Sequence, residues 1–140
     1  MKKQIIGGIA MLGAVLLLAG CVATLDVSGT WTGIVVFDQG DAFAGLSYTL
    51  TLILVQQGSD LSGQAGFGSA LLAFMVPIQD GSVSGSIIAV DASGTVSLLG
   101  SSATVSIELD GECSETSMSG TGEYRVNGVL HTFSWQAQAG

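Results

Sequence analysis

Tyr124-Arg125-Val126-Asn127-Gly128-Val129-Leu130-His131 is the stretch whose reading decides the fold. Asn-Gly is the pair that a two-residue type I′ turn demands, because both of its central residues need positive φ. On either side the chain alternates, from about Thr116 to Val126 before the turn and from Val129 to Ala137 after it. Phe133, Trp135 and Ala137 share one face of the second run under the two-residue period of a strand. The pattern is that of an antiparallel hairpin.

Upstream the same grammar repeats. Val105, Ile107 and Leu109 alternate with Thr104, Ser106 and Glu108 in a strand of about Ala103 to Leu109, and Asp110-Gly111 reads as another hairpin turn. Strands are expected at about Ser82 to Val90 and Thr95 to Leu99, with Asp91-Ala92-Ser93-Gly94 turning between them and Gln79-Asp80-Gly81 breaking the chain ahead. Within Ser69 to Ile78, the run Ala70 to Val76 is continuously apolar and closed by Pro77; a buried strand, a short helix or a flap over an open barrel end all fit it. Leu46 to Gln57 and Leu61 to about Phe67 form a hairpin across Gly58-Ser59-Asp60, with Tyr48, Leu50, Leu52 and Leu54 on one face. The first strand begins at Ser28 and runs to about Asp38, with Trp31, Gly33, Val35 and Phe37 on one face, and Gln39-Gly40-Asp41 ends it.

Eight strands follow, at spacings too short for crossover helices. Twenty-one glycines, a single proline and little helix-type charge pairing argue in the same direction. The expected fold is all-β: an eight-stranded antiparallel up-and-down meander over residues 28–140, closing into a barrel or folding as a sandwich. At eight strands, closure leaves an interior that side chains fill or that holds one small ligand.

Gly29-Thr30-Trp31 at the start of the first strand is similar to the G-x-W opening of the calycins, the lipocalins and avidin-like proteins. The closing Phe133-Ser134-Trp135-Gln136-Ala137 is similar to that of bacterial lipoproteins built on the same plan. The resemblance implies a closed calycin-like barrel. It transfers no ligand, because neither a lipocalin C-terminal helix nor a set of polar biotin-binding positions is present.

The amino terminus carries a different message. Lys2 and Lys3 precede an uncharged apolar run from Ile5 to Ala19, shorter than the roughly 20 residues a bilayer-spanning helix needs. Residues 1–20 are therefore expected to be a removable export signal. Leu18-Ala19-Gly20-Cys21 resembles a bacterial lipobox. That resemblance implies that Cys21 is diacylated, becomes the first mature residue and is then N-acylated, so the membrane is a partner through a lipid anchor. Residues 21–27 form the lipidated terminus and a short tether, and Val22, where Asp would favour inner-membrane retention, implies sorting to the outer membrane.

Loss of Lys2 and Lys3 with the signal moves the formal charge from −8 to −10 and leaves Arg125 as the only fully charged base. Nucleic acid is not an expected partner, since its binding requires a Lys/Arg patch. With Cys21 lipidated, Cys113 has no partner within the chain; it is either a bystander thiol at a hairpin turn or one that pairs with another chain.

Catalytic chemistry is not indicated. The sequence has no G-x-S-x-G elbow, and His131, on the face of Val129 and Phe133, reads as a core or rim histidine rather than a base. One His and one free Cys cannot supply a zinc site. Glu108, Asp110 and Glu112 alternate to one side, with Glu115 nearby, which suits either a calcium ion or a well-solvated hairpin tip; Asp38 and Asp41 allow the same pair of readings. No cofactor and no resident metal is expected. Trp31, Phe37, Tyr48, Phe133 and Trp135 either fill the core or line a pocket for a small hydrophobic ligand. The expected protein is thus a non-enzymatic, membrane-anchored lipoprotein that binds such a ligand in its barrel, or else a structural or protein-interaction lipoprotein with a filled core.

Overall fold

A computed structural model describes residues 25–69, 73–98 and 100–140; residues 1–20, expected to be an export signal, and Cys21 lie outside them. Eight strands run in chain order: β1 (Gly29–Phe37), β2 (Ser47–Gln57), β3 (Asp60–Gly68), β4 (Ala73–Ser84), β5 (Ile87–Leu98), β6 (Ser101–Cys113), β7 (Ser117–Val126) and β8 (Val129–Ala139). Each pairs antiparallel with the next, and β1 pairs with β8 from Trp31↔Ala139 to Phe37↔Phe133. The sheet is a closed up-and-down barrel, with no edge among the described strands for another chain to extend.

Period-two alternation fills the interior. Trp31, Val35 and Phe37 of β1, Leu50, Leu52 and Leu54 of β2, Val105, Ile107 and Leu109 of β6, and Phe133, Trp135 and Ala137 of β8 all face inward and are buried. At the lower end, where β1 begins and β8 finishes, fully buried Val27 closes the floor. Its N–H donates to Gln56 Oε1 (2.8 Å), and its carbonyl accepts the indole N–H of Trp31 (2.9 Å).

The Asn127-Gly128 turn is as expected, with φ of 50° and 86° at its two residues. Three other expected turns are overturned. Asp110-Gly111 lies inside β6, Gln79-Asp80-Gly81 inside β4 and Asp91 to Gly94 inside β5. The chain reverses instead at Gly85-Ser86, splitting the strand expected over Ser82 to Val90, and between Ser114 and Ser117, where Ser117 N–H donates to Ser114 Oγ (3.1 Å). Glycine has another use in these strands. Gly111 pairs with Gly120 of β7, and a Cβ on Gly111 would lie 3.0 Å from the Trp135 ring and overlap the Ser119 carbonyl oxygen. A Cβ on Gly94 would meet Val76 Cγ1 at 3.2 Å. Inward glycines let narrow, tightly coiled strands approach one another and make room for large rings opposite. At Gly81 a Cβ would lie 3.0 Å from Leu61, and the pairing register shifts just before it, between Ile78 and Asp80, without ending β4.

Within the segment of open reading, residues from Ala73 onward are strand, Phe74 and Val76 pointing in; Ala70 to Leu72 lie outside the described residues.

Candidate functional site: the ring-walled upper end

The inward aromatic side chains collect at the end of the barrel opposite the floor. Phe37 closes β1, Tyr48 opens β2, Phe67 ends β3, Phe74 opens β4, Tyr124 lies near the end of β7, and His131 and Phe133 stand near the start of β8. Their rings meet edge to face: Phe37 with Tyr48 at 5.2 Å, Phe37 with Phe133 at 5.8 Å, Phe67 with Tyr124 at 4.9 Å and Phe67 with Phe133 at 5.7 Å between centroids. Such pairs contribute about 0.5–1.5 kcal/mol each beyond their burial.

Of the five side chains expected to line a pocket, Phe37, Tyr48 and Phe133 come together here. Trp31 is in the floor. Trp135 lies across Gly111 of the neighbouring strands, its indole N–H donating to the Thr121 carbonyl (3.0 Å). Sequence reading missed Phe67, Phe74 and Tyr124. All three sit on inward positions, but Phe74 lies within the continuously apolar run Ala70 to Val76, which shows no clear period.

The roof is the loop between β1 and β2, residues 38–46. Two of its turns are tied by backbone bonds, Ala44 N–H to Asp41 O and Leu46 N–H to Phe43 O, both 3.0 Å. Phe43 lies flat on His131, with centroids 3.8 Å apart and planes 5° from parallel, and its edge meets Phe37. Asp41 fastens the loop to β8. Its Oδ2 accepts from Phe43 N–H (2.8 Å) and meets His131 Nδ1 (2.9 Å), while Oδ1 accepts from Thr132 N–H (3.2 Å). A carboxylate only accepts, so the proton in the contact with His131 is on Nδ1. Asp41 is thus committed to the latch, and His131 is a rim histidine. Val129, on the same face, is exposed because it adjoins the turn.

Burial pushes the Asp41 carboxyl up, but the hydrogen bonds from Phe43, His131 and Thr132 and the charge of His131 outweigh it, and the net shift is down from 3.8. A depressed carboxylate stabilises the fold above its ordinary pKa, and that contribution is lost as pH falls through the lowered value. Asp41→Asn should therefore remove the Asp41 share of the stability lost on acidification below the ordinary carboxylate range. It should also raise amide exchange at Phe43 and Thr132 while leaving β5 and β6 protected. Unchanged exchange at those two amides would overturn the latch.

Burial and the nearby Tyr48 push the Tyr124 hydroxyl up to about 12, and burial raises Tyr48 as well, so both phenols stay neutral donors at any physiological pH. Cys113 is a free, buried thiol at the end of β6, its pKa raised by burial, which disfavours the reactive thiolate.

The outer wall is segregated. β8, β1 and β2 carry no Asp, Glu, Lys or Arg, and Ile34, Val36, Ile53 and Val55 are exposed there. The opposite wall is acidic, with Asp91, Glu108 and Glu123 side by side across β5, β6 and β7. Glu108, Asp110 and Glu112 do aim outward together, yet no group of three or more His, Cys, Asp or Glu among the described residues is placed to hold a metal ion.

No protein-family model matches the chain, and no curated protein or solved structure matches it either, so the chemistry of the upper end is carried by its own residues.

Proposed function

We propose that this is a non-enzymatic bacterial envelope lipoprotein, anchored through acylated Cys21, whose barrel takes up a small hydrophobic molecule among the rings of its upper end. One observation carries the ligand: that end is roofed by a loop, while the rest of the barrel is sealed by strand pairing and by Val27 in the floor. Lifting residues 38–46 breaks the contacts of Asp41 to His131 and Thr132, the Asp38 N–H bond to the Thr132 carbonyl and the Phe43 stack, and leaves every strand ladder intact. Loop motions of this kind are the ordinary means of access to a closed site. The anchor is supported by the lipobox and the short tether, and outer-membrane sorting by Val22.

Native mass spectrometry of protein purified from its own host tests the reading. The expected result is a stoichiometric apolar adduct beyond the acyl chains of Cys21; a population carrying those chains alone overturns it. Such a result would favour a second reading, an interaction lipoprotein with a filled core. The uncharged β8-β1-β2 wall, with Ile34, Val36, Ile53 and Val55 exposed on it, supports that alternative.

A further inference from the structure

Two buried polar atoms at the upper end have no hydrogen-bond partner among the described residues. They are Oη of Tyr124, a residue 2% exposed, and Nε2 of His131, a residue 4% exposed. Native structures leave few buried polar groups unsatisfied, and each one calls for a bound partner or a functional role. These two belong to cross-strand neighbours, Tyr124 of β7 facing His131 of β8, with ring centroids 6.1 Å apart. One small polar group can serve both.

Their hydrogen-bonding senses define that group. Tyr124 keeps its proton and offers it as a donor. His131 engages Asp41 through Nδ1, which leaves Nε2 as the ring nitrogen that meets a guest. A hydroxyl accepts from Tyr124 and, able both to donate and to accept, pairs with Nε2 in either form of the ring. We infer that the guest is an apolar molecule ending in a single hydroxyl, an alcohol or a phenol, with that hydroxyl between Tyr124 and His131 and its hydrocarbon part among Phe37, Phe67, Phe74 and Phe133. A carboxylate fits poorly. It would sit near the Asp41 carboxylate in a chain of strongly negative charge. A pure hydrocarbon leaves both polar atoms orphaned.

The inference rests on the proposed ligand site, and matched ligands separate the two. The full chain, held in phosphatidylethanolamine/phosphatidylglycerol nanodiscs, is titrated with 4-pentylphenol, pentylbenzene and 4-pentylbenzoate while the Tyr124 and His131 ring signals are followed by NMR. Affinities are referred to free aqueous concentration. The phenol is expected to bind about tenfold or more tighter than pentylbenzene, the worth of one or two well-placed hydrogen bonds. Tyr124→Phe, which keeps the ring and its packing, should shrink that preference to about threefold or less while leaving pentylbenzene affinity unchanged. Equal binding of phenol and hydrocarbon, as expected if trapped water satisfies both atoms, overturns the hydroxyl assignment and leaves the ligand site standing. So does tighter binding of the benzoate. Failure of all three to bind, even to Phe43→Ala with its roof thinned, overturns the site itself.

Discussion

Gly33→Ala is expected to destabilise the barrel by about 3 kcal/mol or more, the upper part of the range for overpacking a core. Gly33 faces inward on β1 and pairs with Ala137 across the seam that joins the first strand to the last. A Cβ there would overlap the carbonyl oxygen of Gln136 and lie 2.5 Å from the Ala137 Cα. Both obstacles are backbone. No rotamer relieves the clash, so β1 and β8 must part, and parting them opens the barrel. For a domain of this size each kcal/mol lowers the melting temperature by roughly 4 °C, so a fall of about 12 °C or more is expected in a thermal scan. Gly58→Ala is the matched control. Gly58 sits at φ 63° with nothing within 4 Å of the added carbon, so its cost is only the left-handed backbone of a non-glycine residue, about 1 kcal/mol. Equal shifts for the two variants would mean that the seam yields to the added carbon, and that close approach of strands is not what requires glycine there.

That distinction is also where the sequence misled. The strand count, the antiparallel order, the inward faces of β1, β2, β6 and β8, and the Asn127-Gly128 turn were all legible, because each depends on local alternation or on turn chemistry that acts over a few residues. The turns placed at Asp110-Gly111 and at Asp91 to Gly94 were not. Asp-Gly signals a turn when glycine is wanted for its positive φ, but Gly111 is wanted for its missing Cβ opposite Gly120 and beneath Trp135. The backbone and the ring that make the glycine necessary lie on other strands, Ser119 on β7 and Trp135 on β8. No window of neighbouring residues contains that information.

The candidate site divides the same way. Phe37, Tyr48 and Phe133 could be grouped in advance, since each lies on the inward face of a strand, but alternation gives a face and not a height along the barrel. Trp31 and Trp135 were grouped with them for that reason, although one is in the floor and the other rests on glycines at mid-height. Phe43 carries no signal in the sequence, and Asp41 reads only as a carboxylate for calcium or for solvation. They sit in a stretch of glycine and acidic residues that reads as a solvated turn, and their roles depend on His131, ninety residues along the chain.

Cys21→Ser should have the largest effect on the protein in its host, and on location instead of stability. An acyl chain contributes about 0.8 kcal/mol per buried methylene; one chain holds a protein only marginally, and two or more hold it durably. The wild-type protein is expected to lose residues 1–20, gain acyl mass on residue 21 and fractionate with the outer membrane. The serine variant has no thiol to acylate, so it should persist uncut, without acyl mass and absent from the outer membrane. Mass is the decisive reading here, because the retained run from Ile5 to Ala19 could by itself keep the uncut variant in a membrane pellet. A serine variant that is still trimmed after residue 20 and still reaches the outer membrane would remove the anchor. The barrel would be untouched, since Cys21 lies ahead of Val27, where the floor begins, and the ligand tests on Tyr124 and His131 would keep their force. Loss of the anchor and loss of the guest are therefore separate outcomes, and only the second would leave the buried hydroxyl and imidazole without a purpose.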